Sequence, residues 1–306
     1  MSLPKFPDFQ PFSLSHRQEY LNYFSTLENP YCDFSLNDLW IWVNYNNDLV
    51  LCELNGNLVL RFTNVFDDNK LYYTLLGRSE LGSTLDILVR YGVTELTFLP
   101  EETVQSILRD TSYTHTDISE DSDNGDYVYN VDDLVALQGK KYENLRTRIN
   151  HFTQENNHIE VKELDVTQPS MKKLIKSSIK KWSHAHNDPS NIEFSAIEKH
   201  LELASTTPVY AYGLFSNKKL VSIIVFHLPP HKGWLICNHI KCDYTYRDVY
   251  GYAFYRLATM AQIKGIKWIN LEQDLGKPGL RQFKTLFRPA MFLRRYTITL
   301  LQSDAI

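Results

Sequence analysis

Apolar and polar residues in the first 125 positions follow patterns typical of short strands, with two helical stretches between them. The runs 49–54 and 57–62 flank Asn55-Gly56, a pair that tolerates the positive φ angles of a tight hairpin turn. Apolar residues at helical spacing predict a helix that ends at Gly92. We expect the order β-β-β-α-β-α-β, with strands at 49–54, 57–62, 70–76, 93–99 and 113–118.

The second half repeats this order with different residues. Its apolar runs predict strands at 208–215, 219–228, 234–242, 266–270 and 291–301. Between them, one apolar stripe predicts a helix that ends at Gly265, and a short helix follows at 280–287. A helical stretch at 131–154, a strand at 157–164 and two further helices precede this unit. Two copies of one α+β layout are the simplest interpretation.

The length and the charge distribution both favour two domains. Domains typically contain about 100 to 200 residues, so a chain of 306 residues accommodates two. Residues 1–125 contain 7 basic and 19 acidic residues, whereas residues 126–306 contain 25 basic and 17 acidic ones. We therefore place domains at 1–125 and 126–306. The basic half indicates an anionic partner such as RNA, a phosphorylated cofactor or a lipid headgroup, although ordinary solvent-exposed surfaces give the same count.

Cysteine usage and hydropathy exclude several classes of protein. The four cysteines form no C-x-x-C pair, so we predict neither a disulfide framework nor a metal site. The N-terminus lacks a basic start followed by an apolar run, and no stretch reaches the roughly 18 apolar residues of a membrane helix. We expect a cytoplasmic protein without a transmembrane segment.

Two strings carry a resemblance to a known family. They are DYVYNVDDLVALQGKKYENLRTRINHF at 126–152 and YGYAFYRLATMAQIKGIKWINLEQDLGKPGLRQFKTLFRPAMFLRRY at 250–296. Both resemble membrane-free relatives of the phosphatidylglycerol lysyltransferase C-terminal domain, which are tandem-GNAT proteins related to the Fem-type aminoacyl-tRNA-dependent transferases. The resemblance implies an α+β protein with two GNAT-like (acyl-CoA N-acyltransferase) domains, two mixed sheets flanked by helices, and the transferase site in the C-terminal domain.

The same resemblance implies an acyltransferase. An aminoacyl group, activated as a tRNA ester, would move to an amine or hydroxyl of a peptide, a small molecule or a lipid headgroup. Aminoacyl-tRNA or acyl-CoA is the donor substrate, and no other cofactor is predicted. Two alternatives stay open, an acetyl-CoA-dependent N-acetyltransferase and a non-catalytic module that binds RNA or peptide.

Polar residues follow the predicted buried strand 266–270 and form the main candidate site. If the strand continues, Asn270, Glu272 and Asp274 lie on one side of it. Glu272 or Asp274 could deprotonate an acceptor amine or recognise a cationic aminoacyl group. Arg281 could stabilise an oxyanion, while Asn270 and Lys284 bind substrate. The alternative is a structural ion-pair network of the same side chains.

A second candidate region is a basic amphipathic helix. Lys140, Lys141, Arg148 and Asn150 lie on its polar face, where they could bind the phosphates of a tRNA donor. A charge run is more often a solvated helix face, but for residues 139–152 the family resemblance favours the phosphate-binding interpretation.

A third region bears on acetyl-CoA. Arg247 and Gly251 occupy the place where acetyl-CoA-using GNAT proteins carry R/Q-x-x-G-x-G/A at a helix start. When Gly251 is aligned with the first glycine of this motif, Asp248 occupies the position of the R/Q residue. Arg247 then lies one residue before that position. The pattern is therefore a weak indication of a cofactor-binding loop.

Overall fold

The computed structural model describes residues 3–63, 70–109, 117–185 and 191–300 of the chain. The strands within these ranges are β1 Gln10–Pro11, β2 Val50–Leu54, β3 Asn57–Thr63, β4 Leu71–Leu76, β5 Glu95–Pro100, β6 Asp117–Asn130, β7 Ile159–Glu163, β8 Tyr210–Ser216, β9 Lys219–His227, β10 Trp234–Cys242, β11 Trp268–Asn270 and β12 Met291–Thr299.

The helices of the same ranges fall between these strands. They are α1 Arg17–Phe24, α2 Leu36–Asp38, α3 Leu81–Tyr91, α4 Glu101–Arg109, α5 Val131–Ala136, α6 Glu143–Glu155, α7 Pro169–Ala185, α8 Asn191–Leu203, α9 Val249–Ile263 and α10 Pro278–Leu286. Short 3₁₀ or π helices lie at Leu14–His16, Cys32–Phe34, Leu39–Val43 and Lys140–Tyr142. In the parts of the chain that the structure describes, every helix is too short or too polar to cross a membrane.

The chain divides into two compact units. The first comprises Met1–Asp126, Gln273–Gly276 and Leu293–Ile306, and the second comprises Tyr127–Glu272 and Lys277–Phe292. The sequence predicts two continuous domains, whereas both units are discontinuous because the chain returns to the first one twice.

The first unit contains an antiparallel sheet in the order β1-β2-β3-β4. The predicted hairpin is confirmed, since Leu54 pairs with Asn57 across a turn in which Asn55 and Gly56 have positive φ angles. Strands β5 and β12 and the first part of β6 neighbour one another in the order β5-β12-β6. Apolar residues of these strands pack with α3 and α4 into one core.

The second unit contains the last part of β6 in a sheet ordered β6-β11-β10-β9-β8-β7. This sheet is mixed because β10 and β11 run parallel while the other neighbours are antiparallel. Side chains of β9 alternate between two cores. Ile224 and Phe226 pack with α5, α6 and α9, whereas Ile223 and Val225 pack with α7 and α8. Helices therefore cover both faces of the sheet.

The polar run 119–125, at which the sequence analysis divides the chain, belongs to strand β6, and the first segment of the first unit ends next to it at Asp126. This polar run lies inside the strand, and most of its side chains are exposed or half-buried. Backbone pairing with β12 holds the strand, so its side-chain pattern carries no apolar signal. Residues 113–116 of the predicted strand 113–118 lie outside the described residues.

The helical stretch predicted at 131–154 is two helices. The helix α5 ends where Leu137 and Gly139 adopt positive φ angles, a common way for a helix to terminate. The guanidinium of Arg146, on α6, donates a hydrogen bond of 2.8 Å to the Gly139 carbonyl. This contact satisfies backbone in the turn between the two helices.

Candidate functional site

The pairing of two neighbouring strands of the second unit ends before one of the strands does. The parallel register of β10 and β11 ends at the pair Ile236 and Asn270, after which β10 continues to Cys242. Ligands of open sheets commonly bind outside the carboxyl ends of such strands. We name the region beyond this last pair the notch and define it by Asn238, Asn270, Glu272 and Lys284.

Glu272 is the carboxylate of the notch and is half-buried. Its backbone φ is +58°, a left-handed conformation that is uncommon for glutamate and clusters at functional sites. The Glu272 N–H donates a hydrogen bond of 2.8 Å to Oδ1 of the buried Asn270. The strand alternation expected up to Asp274 therefore stops at Asn270.

A buried side-chain network leads from this carboxylate into the core. Asn238 Nδ2 donates a hydrogen bond of 2.8 Å to Glu272 Oε1. Asn238 Oδ1 lies 2.8 Å from Nδ1 of His227, and both residues are buried. The Glu272 carboxylate is thus held from the side of β10.

Lys284 is the cation of the notch and comes from α10. It is 6% exposed, donates from Nζ to the Leu271 carbonyl, and lies 5.6 Å from the centre of the Tyr127 ring. The Tyr129 hydroxyl donates a hydrogen bond of 2.8 Å to the Lys284 carbonyl. These contacts hold α10 beside the backbone that leads to Glu272.

Asp274 and Arg281 have different surroundings. Asp274 belongs to the first unit, is 1% exposed and accepts a 2.9 Å hydrogen bond from the Gly276 N–H, as in a side-chain-stabilised turn. Arg281 is exposed on α10 in the second unit. Of the residues predicted at this site, the structure gathers Asn270, Glu272 and Lys284 in the notch.

The predicted phosphate-binding residues are exposed on one part of the second unit. Lys141 Nζ lies 3.7 Å from Asp133, and the Arg148 guanidinium lies 3.7 Å from Asp248. Exposed pairs at such distances contribute little energy, so these cations remain accessible to an anionic ligand. The set occupies the Lys140–Tyr142 turn and α6, and consists of Lys140, Lys141, Arg148 and Asn150.

The start of α9 carries an acidic side chain where a phosphate cradle would need a basic one. Asp248 precedes the helix, and its carboxylate lies 3.6 Å from Arg247 as well as near Arg148. A Cβ atom at Gly251 would meet only Phe287, at an ordinary contact distance of 3.7 Å. A carboxylate at this helix end repels phosphate, which disfavours CoA binding through Arg247 and Gly251.

Three buried histidines lie side by side in the second unit. The ring centre of His200 is 5.4 Å from that of His239 and 6.3 Å from that of His227. Burial lowers the pKa of His227 to about 4 and that of His239 to about 3, and it lowers the pKa of His200 well below its usual value. All three are therefore neutral near pH 7. Among the described residues, no group of three or more His, Cys, Asp or Glu is arranged to hold a metal ion.

Acid should destabilise the protein through these histidines. As the pH falls from about 6.5 to about 4, the unfolded chain takes up protons that the folded chain excludes. Each histidine therefore lowers the free energy of unfolding by up to about 1.4 kcal/mol for each pH unit of this fall. His239→Gln should remove one such contribution in urea titrations at several pH values. His151→Gln, on the exposed side of α6, should keep the original slope. An unchanged slope in His239→Gln would contradict a buried, neutral imidazole.

The first unit contains a buried ionic cluster around Arg295. The guanidinium Nε lies 2.6 Å from Asp33 Oδ2, and a terminal nitrogen lies 2.8 Å from Asp126 Oδ1. Asp126 also accepts from the Cys32 N–H at 2.9 Å, and Asp33 accepts from Gln273 Nε2 at 2.8 Å. Burial opposes the charge on Arg295, but the two carboxylates raise its pKa above the usual value. The cluster joins four separate chain segments of this unit.

Sequence reasoning missed Asn238, His227 and Arg295. Asn238 interrupts the apolar run WLICNHIKC, and Arg295 interrupts the strand MFLRRYTIT. A polar residue inside an apolar strand indicates a buried hydrogen bond or ion pair. That signal was present in the sequence, whereas the identity of each partner depends on strand register.

A known family matches most of the chain. The family described as phosphatidylglycerol lysyltransferase, C-terminal, matches residues 91–299. The strings 126–152 and 250–296, which carry the resemblance in the sequence, both lie inside this range. No curated protein matches the chain.

Several solved structures share the fold. A conserved protein of unknown function from Bacteroides thetaiotaomicron VPI-5482 has a TM-score of 0.83 at 21% identity, covering 98% of this chain and 100% of the other. L-PGS from Bacillus licheniformis has a TM-score of 0.63 at 11% identity, with coverage of 100% and 95%. FemX has a TM-score of 0.61 at 9% identity, with coverage of 96% and 97%. These likenesses confirm the predicted α+β, GNAT-like fold class.

Proposed function

Because the chain belongs to the phosphatidylglycerol lysyltransferase C-terminal family, as its sequence predicts, we propose that it transfers an aminoacyl group. The donor is an aminoacyl-tRNA, and the acceptor is an amine or hydroxyl of a peptide, a small molecule or a lipid headgroup. Such a donor places the reaction in the cytoplasm. The observation that carries the proposal is the notch, where hydrogen bonds hold Glu272 just beyond the last pair of β10 and β11.

The proposed reaction is a direct acyl transfer. The acceptor amine attacks the ester carbonyl of aminoacyl-tRNA, and collapse of the tetrahedral intermediate breaks the bond to the ribose oxygen. Glu272 accepts the proton released by the amine and returns a proton to the ribose oxygen. Backbone N–H groups and the exposed Arg281 stabilise the oxyanion that forms in between.

Two observations favour Glu272 over Asp274 as the base. Glu272 is half-buried, so part of its side chain is accessible to a substrate, and its left-handed backbone departs from ordinary strand geometry. Asp274 is 1% exposed and accepts a backbone hydrogen bond from Gly276. A base must lie within hydrogen-bond reach of the proton it accepts, which a partly accessible carboxylate satisfies better.

The charge distribution of the second unit supports a tRNA donor. Lys140, Lys141 and Arg148 are exposed, and RNA phosphates bind such cations with release of counterions. Asp248 at the start of α9 disfavours a CoA pyrophosphate. We therefore propose a tRNA ester and not acetyl-CoA as the acyl donor.

Binding of tRNA charged with a labelled amino acid tests the donor. The affinity should fall as salt rises from about 50 to about 200 mM, and Lys140→Glu/Lys141→Glu should weaken binding about tenfold or more and flatten this salt dependence. Lys232→Glu/Lys267→Glu makes the same change of net charge at exposed residues of the same unit and should keep the affinity.

The outcomes separate the three functions. Transfer of the label to an acceptor amine or hydroxyl supports the enzyme, whereas specific tRNA binding without transfer supports a binding module. Saturable acetyl-CoA binding without tRNA binding would replace the proposal with the N-acetyltransferase alternative. Binding of neither ligand would contradict it.

A further inference from the structure

We propose that Asn238 and His227 are positioning residues that hold the Glu272 carboxylate in the orientation that proton transfer requires. This inference rests on the proposed function, because it concerns the base of that reaction. It is built from two side-chain contacts of 2.8 Å in the second unit, Asn238 to Glu272 and His227 to Asn238.

The chemistry of the three side chains fixes every orientation in this network. A carboxylate only accepts hydrogen bonds, so Asn238 must turn its amide nitrogen towards Glu272. The amide oxygen then faces His227, so the hydrogen of the neutral imidazole must sit on Nδ1. His227 thereby prevents the Asn238 amide from turning its oxygen towards the carboxylate.

A backbone irregularity aims Asn238 at the notch. The pairing of β10 with β9 shifts between Cys237, which faces Phe226, and His239, which faces Val225. Asn238 is the extra residue of this β-bulge, a feature that re-aims side chains and is frequent beside active sites. In a strand without the bulge, the side chain of residue 238 would follow the regular alternation between the two faces of the sheet.

The surroundings of His227 argue against a role in packing alone. Its Nε2 atom is buried and has no hydrogen-bond partner among the described residues. Burying an unpaired polar atom lowers stability, so an apolar side chain would serve packing better. The ring beside it is that of His200, which in turn neighbours His239, and both are neutral near pH 7 and bring no competing charge. The contact to Asn238 therefore accounts for a histidine at this position.

Three substitutions test the positioning role during transfer. His227→Phe keeps a ring of similar size and removes the donor to Asn238, so kcat/KM should fall between about tenfold and about 10²-fold. The acidic limb of the pH profile should move to higher pH, because the freed amide can present its oxygen to Glu272. His227→Gln retains an N–H donor and should restore most of the activity, and KM for charged tRNA should stay unchanged in both variants.

A matched control removes a neighbouring histidine. His200→Gln alters the same buried cluster without removing either contact of Asn238 and should keep the pH profile. If His227→Phe fails to fold, Asn238→Asp provides the same test, because its second carboxylate should shift the acidic limb upward by about one pH unit or more. An equal shift in His200→Gln, or no shift in either network variant, would overturn the proposal.

Nitrogen NMR of the histidine rings tests the network without turnover. At neutral pH the His227 ring should be uncharged with its hydrogen on Nδ1, and Asn238→Leu should release that preference. A ring that is charged, or that carries its hydrogen on Nε2, would overturn the positioning role. Absence of transfer in the unmodified protein would instead overturn the proposed function, while the NMR result still decides the network.

Discussion

Replacing Glu272 with glutamine is expected to lower the rate of aminoacyl transfer by about 10²- to 10⁴-fold. Glutamine keeps the size and the contact with Asn238 but cannot accept the proton of the acceptor amine. Affinity for charged tRNA should stay nearly unchanged, because the proposed phosphate-binding residues lie on α6 and the turn before it and not on the loop that carries Glu272. Single-turnover transfer of a labelled amino acid measures the rate, and tRNA binding is measured in parallel.

Asp274→Asn separates the two carboxylates that the sequence offers as bases. An asparagine oxygen still accepts the Gly276 hydrogen bond, so the turn should persist and the transfer rate should stay close to that of the unmodified protein. A large loss in Asp274→Asn together with a small one in Glu272→Gln would assign the base to Asp274. Full activity of both variants would exclude a carboxylate base at this loop.

Arg295→Met is expected to lower the free energy of unfolding by about 3 to 5 kcal/mol. Methionine fills much of the space of the arginine stem but leaves the buried Asp126 and the half-buried Asp33 without their cation. Urea denaturation of the folded variant measures the loss. Adding Asp33→Asn and Asp126→Asn to the same chain should recover part of it, because the repulsion between these two neighbouring carboxylates is then removed.

The neighbouring arginine supplies the control for this prediction. Arg294 lies on the same strand with its side chain 52% exposed, and its contact with Glu120 is 3.7 Å long. Arg294→Met should therefore change the free energy of unfolding by no more than about 0.5 kcal/mol. Similar losses in both variants would show that charge on β12, and not the buried cluster, sets the stability.

The sequence predicts those elements whose signals are local. Asn55-Gly56 specifies its hairpin through the backbone freedom of two residues, and the stripe that ends at Gly265 specifies α9. Strand β6 lacks such a signal because its polar residues are held by pairing with β12, a strand far along the chain. The return of residues 293–300 to the first unit likewise has no signal in the local sequence pattern.

The same distinction applies to the notch. The sequence predicts Glu272 as a site residue because polar residues that follow a buried strand lie at the edge of the sheet. Its partner Asn238 lies 34 residues away, and the contact depends on a bulge in β10 that follows from register with β9. The sequence predicts that Lys284 binds substrate. In the structure its side chain is buried, and its Nζ donates a hydrogen bond to the Leu271 carbonyl.

Transfer from charged tRNA by the purified protein tests the proposed function most directly. Labelled aminoacyl-tRNA is mixed with the protein and with one of three acceptors, a lysine-containing peptide, a small amine or vesicles that contain phosphatidylglycerol. We expect the label to move from tRNA to at least one acceptor, and to do so far more slowly with Glu272→Gln. Label that leaves tRNA only at the uncatalysed rate with every acceptor would contradict aminoacyl transfer.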